Sequence, residues 1–359
     1  MMKIYLVGGA VRDQLLNLPI KEKDWVVVGA TVNDMLAQGF RQVGKDFPVF
    51  LHPKTSEEYA LARKERKSGC GYTGFTFDAS PTVSLEEDLL RRDLTINAMA
   101  QTPDGVLIDP YHGKDDLSKK ILRHVSPAFV EDPVRILRVA RFAARFGFDI
   151  APETKALMQT MVVSGEINTL VAERVWKELE RALVEKQPEN FFEVLADCNA
   201  LAVLFPSIKL GGAGVRVLSM ISKKSSDVEI RFAALLHEMP SMTITELCAR
   251  YRVPTHCREL ALLVANYLSL YQRAEKLNAT ELLDLFLALD AFRREERFKI
   301  FLLVCEACTP SSTSAFLIKN YEIAKKVEVQ SVLDEGATGK AITERLNQKR
   351  IEAIRKNRS

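Results

Sequence analysis

The sequence predicts an α+β protein, a mixed strand-and-helix segment followed by a long helical remainder. Through roughly the first hundred residues, short apolar runs alternate with amphipathic ones across glycine turns. From Pro127 onward, apolar residues recur three and four apart. A chain of 359 residues with 47% hydrophobic content can also bury more than one core.

Lys3 to Val7 forms a short apolar run expected as a strand, and Ala10 to Leu16 a helix that turns on Gly8-Gly9. Trp25 to Val28 is a second buried strand. Thr31 is placed to cap a helix running to about Gln38, with further strands at Pro48 to Leu51 and Tyr59 to Ala62. Arg63 to Phe77 (RKERKSGCGYTGFTF) has no sustained period and reads as a mobile basic loop, which a polyanion or plain solvent would satisfy equally. Helices are expected at Pro133 to Phe146, Pro152 to Val162, Ala172 to Glu185 and Phe191 to Leu201. The helical pattern then persists to Arg355, with breaks near Gly211 to Gly214 and Thr309 to Ser314. The last stretch, Ala341 to Ser359, is a basic helix that suits either a phosphate backbone or open solvent.

Fifty Lys and Arg against 47 Asp and Glu leave a formal charge of +3, so a nucleic-acid partner would have to be met by local patches. Residues 1 to 7 are too short for a signal-peptide core, and no apolar run approaches bilayer length. A cytoplasmic protein with no membrane association is expected. The six cysteines are scattered, which fits reduced thiols. Cys305-x-x-Cys308 has no second pair to complete a zinc site and reads as helix core.

Four groups of residues carry chemistry. Gly8 and Gly9 allow backbone amides at a helix start to approach a phosphate, with Arg12 one turn on, although a purely structural turn has the same signature. Glu22 and Asp24 are two apart at a strand entrance, so a two-residue period puts both carboxylates on one face. Oxygen-only ligands there would favour Mg²⁺, while two acids in a charged turn are the plain alternative. Arg91-Arg92-Asp93 leads into a helix on which Asp93 and Asn97 share a face, and Arg92 is within reach of a triphosphate or sugar. Asp132-Pro133 starts a helix as an acidic cap with proline at the first position. Arg135, Arg138, Arg141 and Arg145 then make a basic stripe expected to contact an anion.

The segments LVGGAVRD, the acidic pair before WVVVG, RRDLTINAMA and EDPVRILRVARFAARFGF occur in this order and spacing. Together they resemble class II tRNA nucleotidyltransferases of the polymerase-β superfamily, and the match extends to ALARKERKSGCGYTGFT and DPYHG. The resemblance is close over about residues 2 to 205 and nearest to bacterial CCA-adding enzymes. It implies a polymerase-β-like head with a mixed or antiparallel sheet over residues 1–126 and a helical nucleotide-selecting neck over 127–205. A helical, tRNA-binding body and tail would follow over 206–359. It implies CCA addition to the tRNA 3′ end from CTP and ATP by a two-metal mechanism. Gly9, Arg12, Arg92, Arg138 and Arg141 would contact the nucleotide, Asp93 the ribose hydroxyl, and Glu22 and Asp24 the Mg²⁺. Asp132 and Arg135 would serve as an amino-acid template, because a carboxylate accepts from an exocyclic amino group and a guanidinium donates to ring acceptors.

Two departures accompany the match. Glu22 stands where the family usually has Asp. In the C-terminal half, Leu236-His237-Glu238-Met239 stands where relatives often carry a His-Asp phosphohydrolase. With five histidines in all, no such activity is expected. The same motifs would serve an enzyme adding only the terminal A, a poly(A) polymerase, or an RNA-binding homologue that has lost catalysis. No stable protein partner is expected.

Overall fold

The computed structural model describes residues 2–43, 49–67, 75–309 and 313–358. The chain divides into two compact units, Met1–Ala182 with Asn190–Leu204, and Leu183–Glu189 with Phe205–Ser359. The architecture is α+β, as expected.

The first unit opens with β1 (Lys3–Val7), α1 (Gly9–Leu15), β2 (Asp24–Val28) and α2 (Val32–Ala37). Next come β3 (Arg41–Gln42), β4 (Val49–Leu51), β5 (Glu58–Leu61), β6 (Lys64–Lys67), β7 (Phe75–Asp78) and α3 (Leu85–Leu90). A 3₁₀ turn (Thr95–Asn97) leads to β8 (Ala100–Gln101), β9 (Leu107–Ile108), α4 (Gly113–Lys119) and β10 (Ile121–Leu122). Seven strands form one sheet in the order β3-β4-β5-β2-β1-β8-β9, mixed because only β2 and β5 run parallel.

Strand β2 lies at the centre and is apolar on both faces. Val26 packs with Val7, Leu85, Leu89 and Ala98 on one side, and Val27 with Met35, Phe40, Phe50 and Tyr59 on the other. Two-sided burial accounts for the unbroken WVVV run, where a solvated face would have required alternation. Thr31 caps α2 through a reciprocal capping box with Asp34.

One expectation is corrected in its described part. Lys64–Lys67 and Phe75–Asp78 pair as an antiparallel ribbon instead of forming a loop, and the segment between them lies outside the described residues. The ribbon is separate from the main sheet, so its strands need no apolar face toward the core of that sheet, and periodicity could not reveal them.

There follow α5 (Val134–Phe146), β11 (Asp149–Ile150), α6 (Pro152–Val163), α7 (Ala172–Leu183), α8 (Glu189–Asp197) and α9 (Ala200–Leu204). Helix α5 begins where its signals place it, with the Asp132 carboxylate accepting from the Val134 N–H at 3.1 Å. The single helix expected from Phe191 to Leu201 is instead broken between α8 and α9. Asn199 adopts a left-handed conformation there (φ 64°), which a short polar side chain tolerates.

The second unit is helical: α10 (Ala213–Ile221), α11 (Val228–Leu236), α12 (Ser241–Tyr251), α13 (Thr255–Gln272), α14 (Ala279–Ala288), α15 (Glu295–Cys308), α16 (Thr313–Lys325), α17 (Gln330–Leu333) and α18 (Lys340–Arg358). The buried Arg231 of α11 donates to the carbonyls of Leu183, Glu185, Ser222 and Ser225, satisfying chain ends that would otherwise be orphaned. Cys305 is buried in α15, and burial, with a smaller push from Glu238, raises the Cys308 thiol to about 12, which suits helix core. The buried His237 bonds the Ala234 carbonyl of its own helix at 2.8 Å.

Candidate nucleotide and metal site

The sheet register assembles one end of the site. Asp24 stands opposite Val7, the residue before the Gly8-Gly9 turn, and Ala100 pairs with Val7 from the other side. The Gly8 N–H donates to the Met99 carbonyl at 3.1 Å. Gly8 has φ 69°, a conformation strained for other residues, and a Cβ there would lie 2.7 Å from Arg92 Nη1 and displace the guanidinium that crosses the turn.

Glu22 and Asp24 are both exposed, Glu22 just before β2 and Asp24 as its first residue. Desolvation at the strand end raises Asp24, Arg92 opposes this, and Glu22 raises it further, so the two carboxylates feel each other. Two exposed carboxylates that repel one another suit a hard divalent cation, which would relieve both effects. The parallel register also sets Glu58 of β5 beside Asp24, a neighbour that local spacing in the sequence could not reveal.

Arg92 is held by Asp88, with Nη2 at 3.3 Å from Oδ2, and its buried Nε–H has no acceptor among the described residues. Asp88 is fully buried and also takes Arg91 Nε at 3.2 Å. Burial alone would raise Asp88, but Arg91 and Arg92 outweigh it and keep the carboxyl low.

Asp93 and Asn97 come together as expected, though across a 3₁₀ turn and not a full helix. The Asn97 amide donates to Asp93 Oδ1 at 3.0 Å and Arg138 Nε to Oδ2 at 2.7 Å. Desolvation would raise Asp93, yet Arg138, Asn97 and Arg135 together hold it far below the usual carboxylate range. Arg12 is 3% exposed, bonded to Asp13 Oδ1 at 2.7 and 2.9 Å and to Asn97 Oδ1, and sits 5.1 Å from the rings of both Phe142 and Phe146.

The arginine stripe of α5 meets anions, and within the structure these are the protein's own. Arg138 takes Asp93, Arg141 Nε takes Glu178 at 2.6 Å, and Arg145 takes Asp13 at 2.8 Å. Arg135 donates to the carbonyls of Ala128 (3.0 Å) and Arg91 (2.6 Å), which fixes its orientation. Asp132 is gripped by Arg174 of α7 in a two-pronged ion pair at 3.0 and 2.7 Å. Sequence reasoning missed Asp13, Asp88, Arg174 and Glu178: the pairs Arg145–Asp13, Arg174–Asp132 and Arg141–Glu178 join distant segments, whereas Asp88 stands three and four residues before Arg91 and Arg92, a local spacing that could have revealed it.

Comparison with known proteins adds independent findings. Residues 4–123 match the poly A polymerase head domain, and residues 147–210 match a probable RNA- and SrmB-binding site of polymerase A. The CCA-adding enzyme of Coxiella burnetii is 53% identical over 357 residues, 99% of this chain and 95% of that one. The multifunctional CCA protein of Thioalkalivibrio sulfidiphilus is 50% identical, covering 99% and 98%. Among solved structures, a Bacillus stearothermophilus CCA-adding enzyme in complex with CTP superposes with a TM-score of 0.74 at 25% identity, over 99% of this chain and 89% of that one.

Proposed function

The chain belongs to the CCA-adding enzymes, a family of tRNA nucleotidyltransferases, and from that premise we propose that it builds the C-C-A 3′ end of tRNA from CTP and ATP by two-metal catalysis. One observation carries the site assignment: the register that sets Asp24 against the Gly8-Gly9 turn, with Arg92 crossing that turn. Each addition forms a bond between the RNA 3′-oxygen and the α-phosphorus and breaks the bond to pyrophosphate.

In this reading residues 1–126 are the catalytic head, 127–205 the selecting neck and 206–359 a body and tail that bind tRNA. The reaction would take place in the cytoplasm; no helix among the described residues is long and apolar enough to cross a membrane. Glu22 and Asp24 hold divalent metal, taken as Mg²⁺. When bound, such ions lower the pKa of the attacking hydroxyl and offset charge on the leaving pyrophosphate. The backbone at Gly9 admits the triphosphate, and Arg92, whose guanidinium crosses the Gly8 turn, meets a phosphate or sugar oxygen. Asp93 fixes Arg138 at the ribose. Arg12 and Arg141, each closed over a carboxylate, support this wall from behind.

Asp132 and Arg135 read the base. Both Asp132 oxygens accept from Arg174, which leaves the carboxylate oriented with lone pairs still open to the amino group of C or A. Uracil and guanine present a carbonyl there and are repelled. Replacing Asp132 by Asn is therefore expected to shrink the CTP-over-UTP ratio of kcat/KM by about ten- to hundredfold, in line with the value of one base-reading contact. Single-nucleotide extension of tRNA lacking CCA measures this ratio. A variant that is slower with every nucleotide at an unchanged ratio would remove Asp132 from the template.

A further inference from the structure

Six side chains form a continuous polar chain that leaves helix α5 and returns to it. Arg138 Nε donates to Asp93 Oδ2 at 2.7 Å, the Asn97 amide donates to Asp93 Oδ1 at 3.0 Å, and Asn97 Oδ1 accepts from Arg12. Arg12 donates twice to Asp13 Oδ1, at 2.7 and 2.9 Å, and Asp13 Oδ2 accepts from Arg145 Nη2 at 2.8 Å. Arg138 and Arg145 are seven residues apart, two helical turns, so both ends of the chain lie on one face of α5. Between them Phe142 and Phe146 carry the Arg12 guanidinium, 5.1 Å from each ring. Arg12, Asp13, Asp93 and Asn97 are all buried, which strengthens each bond and makes an unpaired member costly.

We propose that Asp13 and Arg145 are positioning residues for nucleotide selection: their ion pair closes a strap that sets the spacing between the Gly8-Gly9 turn and the base-reading pair Asp132 and Arg135. The proposal rests on the reading of that pair as the template and deepens it. Asp13 stands on α1, which starts at the glycine turn, and Arg145 on α5, whose first residues follow Asp132. Arg135 and Arg138 tie the N-terminal half of α5 to Arg91 and Asp93, but those ties lie within one turn of each other and fix a pivot more than a tilt. Arg145 lies roughly 10 Å from that pivot and Asp132 roughly 9 Å on the far side, at about 1.5 Å of rise per residue. A drift of about 1 Å at Arg145 therefore moves the template carboxylate by a similar amount, enough to make or break a hydrogen bond to a base edge. The triphosphate, held at the glycine turn, feels the same drift much less.

The test measures kcat and KM for CTP and for UTP on tRNA lacking CCA, in the full chain carrying Arg145→Met, Arg145→Lys, Asp13→Asn, or Asp13→Asn with Arg145→Met. Methionine keeps an unbranched stem beside the Phe146 ring, 4.8 Å from the Arg145 guanidinium, and Asp13→Asn keeps an oxygen for Arg12. Arg145→Met is expected to lower kcat for CTP about tenfold and the CTP-over-UTP ratio of kcat/KM about fivefold, with KM for CTP within about twofold. Arg145→Lys retains a cation for Asp13 and is expected to recover most of both. The double variant should be no worse than the worse single one, as for two residues that act through one bond. The CTP-over-UTP ratio does not depend on how much of a variant is folded, so it separates a strap from a merely structural bond. A ratio unchanged in both single variants would overturn the proposal, even with activity falling in step with the melting temperature, and so would additive losses in the double variant. An unmodified protein that adds no nucleotide, or that takes UTP as readily as CTP, would overturn the template reading and the strap with it. The strap alone fails when that preference is present and every variant keeps it.

Discussion

Replacing both Glu22 and Asp24 by Ala is expected to abolish nucleotide addition, by at least about a thousandfold, because two-metal stabilisation contributes several kcal/mol to such transfers. The two side chains are exposed and repel each other, so their loss should leave the melting temperature unchanged and tRNA binding intact. Glu22→Asp is expected to keep activity, since a carboxylate remains at the same strand entrance. Radiolabelled CTP and ATP incorporation across a Mg²⁺ titration measures both. Residual activity of the double variant above about one per cent would move the metal ligands elsewhere.

Asp93→Ala should produce the largest loss of stability among the site residues. It strands Arg138, left among the described residues with Glu178 at 3.8 Å as its ion-pair partner, and frees the Asn97 amide. Removing one partner of a buried pair costs about 3–5 kcal/mol, and the partial exposure of Arg138 brings the expected value nearer 2–3 kcal/mol. Both tryptophans, Trp25 and Trp176, lie in the first unit, so urea unfolding followed by their fluorescence reports on the unit concerned.

The pH dependence has a definite sign. The folded Asp93 carboxyl is depressed below its unfolded value of about 3.9, so its stabilisation is present above that pH and fades as pH falls toward the folded value. The gap between the unmodified protein and Asp93→Ala should therefore be full at neutral pH and narrow below about pH 4. A gap that widens on acidification would contradict the ion-pair account.

The end of the fold that holds the candidate site was legible because its signals are local. The WVVV run announces a strand buried on both faces, Gly8-Gly9 a turn with positive φ, and Asp132-Pro133 a helix start. The β6–β7 ribbon was not legible, since a pair of strands apart from the main sheet carries no required apolar period. Nor was the break at Asn199, where a left-handed residue interrupts an apolar pattern that continues across it. The stripe on α5 was expected to contact an anion, and its partners inside the protein were hidden. Arg138 finds Asp93, Arg141 finds Glu178 and Arg145 finds Asp13, all from distant segments, and periodicity carries no information about such pairs. The grip of Arg174 on Asp132 was hidden for the same reason.

The most direct test of the whole account offers the purified protein three tRNAs, lacking CCA, ending in C and ending in CC, each with CTP alone, ATP alone and both. The account predicts C addition to the first two from CTP, A addition to the third from ATP, and complete CCA ends only with both nucleotides. A protein that extends only the CC-ending tRNA, or that adds runs of A without regard to the end presented, would contradict it.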